Sequence, residues 1–172
     1  MMCTLLFATA FNLHAQNDAI SRFFNKYAED ERFTVVYVAP KLFSMISKVS
    51  SDDEEWNKMR DIVKDLGGLK VLVADSVNNG LELYNDALGR VPVREYDELL
   101  TVRDGEEHVR IWTRENKSDT VIEELLLLVG APDEFIMLSL SGKIDLAKIS
   151  GLAETLDVEG IEHLDKIKKK QE

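Results

Sequence analysis

Asp104-Gly105 separates two stretches in which apolar and polar residues alternate, Tyr96 to Arg103 and Glu106 to Glu115. A two-residue Asp-Gly connection tolerates the positive φ angles of a tight hairpin turn, so the pattern predicts two antiparallel strands. Pairing outward from that turn sets Arg103 against Glu106, Val102 against Glu107, Thr101 against His108 and Leu100 against Val109. Leu100, Val102, Val109 and Ile111 then share one face, and His108, Arg110, Trp112 and Arg114 share the other.

The strand pattern continues toward the C-terminus. After a polar turn at Asn116 to Asp119, Thr120 to Val129 reads as a third strand, and its Leu125–Val129 run suits burial on both faces. Gly130 to Asp133 turns the chain. Glu134 to Ser141 reads as a fourth strand, with Ile136, Leu138 and Leu140 alternating against Phe135, Met137 and Ser139. Asp145 is placed to cap a helix with Leu146, Ile149, Leu152, Ala153 and Leu156 on one face. A last helical stretch carries Val158, Ile161, Leu164 and Ile167. Four consecutive strands predict an antiparallel meander with helices over one face and the other face partly wet.

The first half reads mainly as helix. Ile20, Phe23, Phe24 and Tyr27 form one face of a helix over Asn17 to Asp30. Phe33 to Ala39 reads as a strand, and Pro40 suits the first turn of a helix whose buried side is Leu42, Met45, Ile46 and Val49. Ser51-Asp52-Asp53-Glu54 has the form of a capping box for a helix facing inward with Trp56, Met59, Val63 and Leu66, which Gly67-Gly68 would stop. Leu69 to Ala74 reads as a short strand, and Leu81, Tyr84 and Leu88 mark a further helix ending near Gly89 and Pro92. Strand, Pro-Lys and helix at Phe33 to Ser47 is echoed by strand, Gly-Lys and helix at Phe135 to Ser150, a pattern compatible with two related strand–helix units. The fold class is therefore α+β.

Met1 to Ala15 contains no Lys, Arg, Asp or Glu, and its apolar run ends at Leu13-His14-Ala15-Gln16. This is the form of a signal peptide cleaved after Ala15, although it lacks a basic start and Leu13 is large for its position. The run is shorter than the ~20 residues that cross a bilayer. The expected organisation is a cleaved signal at 1–15 and one α+β domain over 16–172, with no linker or low-complexity block dividing it. The product would be exported to the periplasm or cell envelope.

A net charge of −11 opposes binding to nucleic acid, whose phosphates need a basic surface. Cys3 is the only cysteine, so a domain cleaved after Ala15 would have no disulfide, cysteine nucleophile or thiolate zinc site. His108 and His163 lack a ligand-spaced partner. Asp52 to Glu55 lacks the spacing of a calcium loop and suits the positive end of a helix instead. No glycine-rich phosphate loop and no nucleophile elbow is present. Ser141, beside Gly142, reads as a turn serine. Among 32 acidic residues nothing selects a catalytic pair. No catalytic, cofactor or metal residue is assigned, and no cofactor is expected.

The face bearing His108, Arg110, Trp112 and Arg114 is the candidate recognition surface. An exposed indole among cations stacks on a sugar or anchors a protein. The alternative, which weighs more, is that a helix or strand covers this face and makes Trp112 core. Lys166, Lys168, Lys169 and Lys170 read as a solvated basic end.

The start ending in Ala15-Gln16, the early amphipathic helix and the strand–Pro-Lys–helix joint resemble an uncharacterised family of small exported proteins of Bacteroidetes. So do Leu66-Gly67-Gly68-Leu69-Lys70-Val71-Leu72 and the late Ser141-Gly142-Lys143. Many members of that family are described as lipoproteins, but here no cysteine stands at the cleavage point. The resemblance implies export and carries no activity to any residue. The function expected is therefore a non-catalytic binding domain of the envelope, with a protein or glycan partner. The alternative is an envelope hydrolase acting through carboxylates or a Ser/Lys pair.

Overall fold

A computed structural model describes residues 15–116 and 121–145. Residues 1–14 of the expected signal, residues 117–119 of the turn expected at Asn116 to Asp119, Thr120 and the helices expected after Asp145 lie outside the described residues. The elements are α1 (Ala15–Tyr27), β1 (Phe33–Val38), α2 (Pro40–Ile46), α3 (Glu54–Val63), β2 (Leu66–Asp75), α4 (Gly80–Arg90), β3 (Asp97–Asp104), β4 (Glu107–Glu115), β5 (Ile122–Gly130) and β6 (Glu134–Ile144). All six strands join one antiparallel sheet in the order β1-β2-β6-β5-β4-β3. The fold is α+β, and β3 to β6 form the expected meander. The two early strands extend the same sheet, because β6 returns beside β2.

One sheet face carries the main core. Phe33, Leu72, Phe135, Met137, Leu126, Leu128 and Trp112 pack there with Ile20, Phe23 and Phe24 of α1 and Leu83, Tyr84 and Ala87 of α4. These are the residues that helical and alternating periodicity would bury. The opposite face holds a second apolar cluster, with Ile111, Leu125, Leu140 and Ile144 buried and Leu69, Leu127 and Leu138 packed around them. Among the described residues that cluster draws on strands alone. The run Leu125 to Val129 thus feeds both faces, as its unbroken apolarity predicts.

Local details depart from the sequence reading. The hairpin pairs Asp104 with Glu107, Arg103 with His108, Val102 with Val109 and Leu100 with Ile111. The turn is Gly105-Glu106, with Gly105 taking the positive φ of 58°. Each pair has moved on by two residues in total, so every side chain keeps its expected face.

Asp53, rather than Ser51, caps α3: its carboxylate accepts from the N–H groups of Glu55 at 2.8 Å and Trp56 at 3.4 Å. Ser51 Oγ accepts from Asp53 N–H instead. Gly67-Gly68 does not stop a helix; it lies inside β2, where the register with β6 shifts at a bulge. Gly142-Lys143 likewise lies inside β6, so the echo of Pro40-Lys41, which opens α2, breaks at that point.

The expected buried side of α2 is the largest correction. Leu42 is 47% exposed and Met45 55%, Ile46 is half-buried, Val49 lies beyond the end of the helix and is 48% exposed, and only Phe43 of this helix is buried. The helix spans two turns, and its one core anchor sits at a position outside that apolar stripe.

α1 and α4 are clamped by Asp86. Its carboxylate accepts from Lys26 at 2.8 Å, Arg90 at 2.6 Å and the Tyr27 hydroxyl at 3.1 Å. These partners, Lys26 foremost, hold its pKa down at about 2 against the opposing effect of desolvation. A depressed carboxyl contributes stability above its ordinary value of 3.8, and the contribution is lost as pH falls toward 2. Because the clamp is partly solvated, Asp86→Asn should cost about 1–2 kcal/mol at neutral pH. Urea unfolding of both proteins should show this difference fading between about pH 4 and pH 2.

Gly80 opens α4 directly beneath the turn before β6, and a methyl group there would collide with the Ala131 and Glu134 carbonyls. Its N–H donates to Pro132 O at 3.1 Å. Gly80→Ala should therefore lower stability by about 1–3 kcal/mol in the same assay.

Candidate functional site

Strand alternation places three polar residues on the core face of the sheet. Glu124 shares a face with Leu126 and Leu128, Ser139 with Phe135 and Met137, and Lys70 with Leu72 and Ala74. The sheet brings them together, because Lys70 pairs with Ser139 across β2 and β6, and β5 lies on the far side of β6. Glu124 is 2% exposed.

Burying a carboxylate costs several kcal/mol unless charge and hydrogen bonds compensate it. Here Oε2 accepts from the Tyr96 hydroxyl at 2.8 Å and from Arg114 Nη2 at 2.8 Å. Oε1 accepts from Ser139 Oγ at 3.1 Å. Arg114 is the cross-strand partner of Glu124 and supplies the opposite charge. The Tyr96 pKa is raised, first by burial and then by the neighbouring Glu124 charge, so its proton stays in place as donor.

A cavity of about 210 Å³ opens beside this cluster. Gly67 and Gly68 form part of its wall, where consecutive glycines in β2 leave the strand without side chains. Gly142, at a φ of 125°, lets β6 approach β2 at the bulge. Lys70, Glu124, Ser139 and Ser141 supply its polar lining. Tyr37 and Pro40 contribute from the β1–α2 joint, and Ile20 from α1. Ser141 lies within β6, not in a turn, and its hydroxyl donates to Gly68 O at 3.4 Å.

Of the four residues on the candidate recognition face, Arg114 enters this cluster through Glu124. Trp112 is 3% exposed and belongs to the main core, so the covered arrangement is the one its surroundings describe. Arg110 lies over the Trp112 ring at 5.9 Å, and His108 stacks on Tyr84 of α4 at 5.6 Å. His108, Arg110 and Arg114 are all half-buried.

A second feature lies on the outside. The exposed stripe of Leu42, Met45 and Val49 follows β1, whose Val36 and Tyr37 are also exposed. Among the described residues, β1 pairs on one side only, with β2. Its sequence, FTVVYV, has no charge, proline or bulge. The opposite edge, β3, carries Asp97, Glu98, Arg103 and Asp104 and a register irregularity, which are the usual protections of a free edge.

The described residues contain no group of three or more His, Cys, Asp or Glu able to hold a metal ion. None of their helices is long and apolar enough to cross a membrane.

Fold and site thus define a small α+β domain built on a six-stranded antiparallel sheet, with a neutralised buried carboxylate beside a polar cavity. Residues 27–152 match the family model described as Domain of unknown function (DUF4252), and the chain belongs to that family. No curated protein and no solved structure matches it.

Sequence reasoning left Glu124, Lys70 and Ser139 unassigned. The available signal was their parity, since each is a polar residue at a core-facing position of an apolar strand. Arg114→Met would leave Glu124 as a buried charge without its cation, and should lower stability by about 3–5 kcal/mol in urea unfolding. Arg114→Lys should restore only part of this, because an ammonium does not reproduce the planar guanidinium contact.

Proposed function

We propose that this protein is a non-catalytic binding domain of the cell envelope and that its partner is another protein. The observation that carries this reading is the exposed apolar stripe of α2 beside an uncharged sheet edge. Leu42 and Met45 of α2 and Val49 just past its end remain about half exposed, and Val36 and Tyr37 of the preceding strand β1 are exposed as well. Large apolar side chains left exposed close together along one stretch of chain are costly in water and point to an interaction site. Helical stripes and free strand edges are two common ways in which a protein receives a polypeptide. Placement in the envelope is supported by the uncharged apolar segment Met1 to Ala15.

The hydrolase alternative draws on Ser139, Ser141 and Lys70 in the cavity. Ser139 gives its proton to a carboxylate already tied to Arg114 and Tyr96. Ser141 gives its proton to a backbone carbonyl. Neither hydroxyl is hydrogen-bonded to Lys70, so no serine here has the activating base that nucleophilic catalysis requires.

Leu42→Asp with Met45→Asp should leave stability within about 0.5 kcal/mol, as expected for exposed positions. A photo-crosslinker at Val49 should trap a discrete protein adduct in cell-envelope fractions, and the double substitution should reduce it at least tenfold. An unchanged adduct contradicts the assignment of this surface. Recovery of the native chain from those fractions with a mass beginning at Gln16 is the expected result for export; a full-length cytosolic chain contradicts it.

A further inference from the structure

We propose that the cavity between β2, β6 and the β1–α2 joint is a binding site for a small carboxylate. The argument rests on which hydrogen-bonding groups are already used. The carboxylate in the wall, Glu124, accepts three hydrogen bonds and is charge-balanced by Arg114. Ser139 has spent its proton on Glu124, but its oxygen can still accept. The Ser141 hydroxyl makes only a long bond, 3.4 Å, to Gly68 O and can turn toward a better acceptor.

Lys70 is the group left over. Its ammonium has three donors, it makes no ion pair or hydrogen bond with the described residues, and it lies 5.9 Å from the centre of the Tyr37 ring. Among the described residues the cavity therefore carries one uncompensated positive charge, on a chain whose net charge is −11. Its described lining has donors to give and no free carboxylate to offer, so it selects against cations and for an anion that accepts hydrogen bonds.

Size and shape narrow the class. A volume of about 210 Å³ is the share of roughly seven waters, room for a carboxylate bearing a short carbon chain. Gly67 and Gly68 let such a group approach the β2 backbone closely, and a glycine pair inside a strand is a common mark of that requirement. Tyr37 and Pro40 offer apolar surface to the ligand's carbon atoms. The carboxylate could belong to a free small acid or to the acidic end of a polypeptide.

The experiment is a titration of the isotope-labelled full chain with acetate and then succinate, followed by amide chemical shifts, with chloride holding ionic strength constant. Saturable shifts are expected at Gly67, Gly68, Lys70 and Ser141. They should weaken at least tenfold in Lys70→Met and persist in Lys143→Met, a nearby exposed control. Propylamine should produce none. Shifts that follow chloride equally, or that survive Lys70→Met, overturn the site.

A short peptide with a free C-terminal carboxylate separates the sources. Binding at least tenfold tighter than that of its amidated form and of acetate indicates a polypeptide end, and equal binding to peptide acid and acetate indicates a free acid. The readout is independent of the α2 stripe: Leu42→Asp with Met45→Asp should leave carboxylate binding intact, so either proposal can fail alone.

Discussion

The pairing of β2 with β6 is the constraint on which the rest of the architecture depends. It joins strands nearly seventy residues apart, Lys70 against Ser139 and Leu72 against Met137, and among the described residues it is the strand pairing that ties β1 and β2 to the meander. Such a contact carries a loop-closure cost that local hairpins avoid, so apolar burial must compensate for it. It does so on both faces. Leu72, Ala74, Phe135 and Met137 enter the core under α1 and α4, while Leu69 and Leu140 enter the second cluster on the opposite face. The same pairing creates the cavity, because the bulge at Leu66 to Gly68 meets Ser141 and Gly142 at its end.

The polar cluster around Glu124 is a consequence of that placement. Once β6 lies between β2 and β5, the core-facing positions 70, 139 and 124 converge, and a carboxylate there must be neutralised or the sheet cannot close. Arg114 comes from the next strand, and Tyr96 comes from the segment entering β3. Four elements are thereby tied to one side chain. A buried ionic cluster of this kind adds little net stability, but its hydrogen bonds are satisfied only in one arrangement of strands, which favours one register over its neighbours.

The sequence revealed features governed by short-range periodicity. The helix face of Ile20, Phe23, Phe24 and Tyr27, the alternation of β6 and the two-sided burial of Leu125 to Val129 could all be read from spacing, since each depends on the local repeat of its own element. Gly67-Gly68 was misleading because glycine after an apolar helical stretch resembles a helix stop, and only the partner strand shows that it belongs to a sheet. The α2 stripe misled for the opposite reason. Leu42, Met45 and Val49 have the spacing of a buried face, but the helix anchored by Phe43 ends at Ile46, leaving Leu42 and Met45 uncovered on it and Val49 exposed beyond it. Glu124 was hidden among many acids, and its face parity became informative only with the neighbouring strands in view.

That uncovered stripe is the basis of the functional account, so the most direct measurement is hydrogen–deuterium exchange on the chain alone and on the chain bound to the proposed protein partner. A partner seated on α2 and the free edge of β1 should slow exchange across residues 33–49 and leave the charged edge at 97–104 unchanged. Protection centred on residues 97–104, with residues 33–49 exchanging as in the isolated chain, would contradict the account and place the interface at the other end of the sheet.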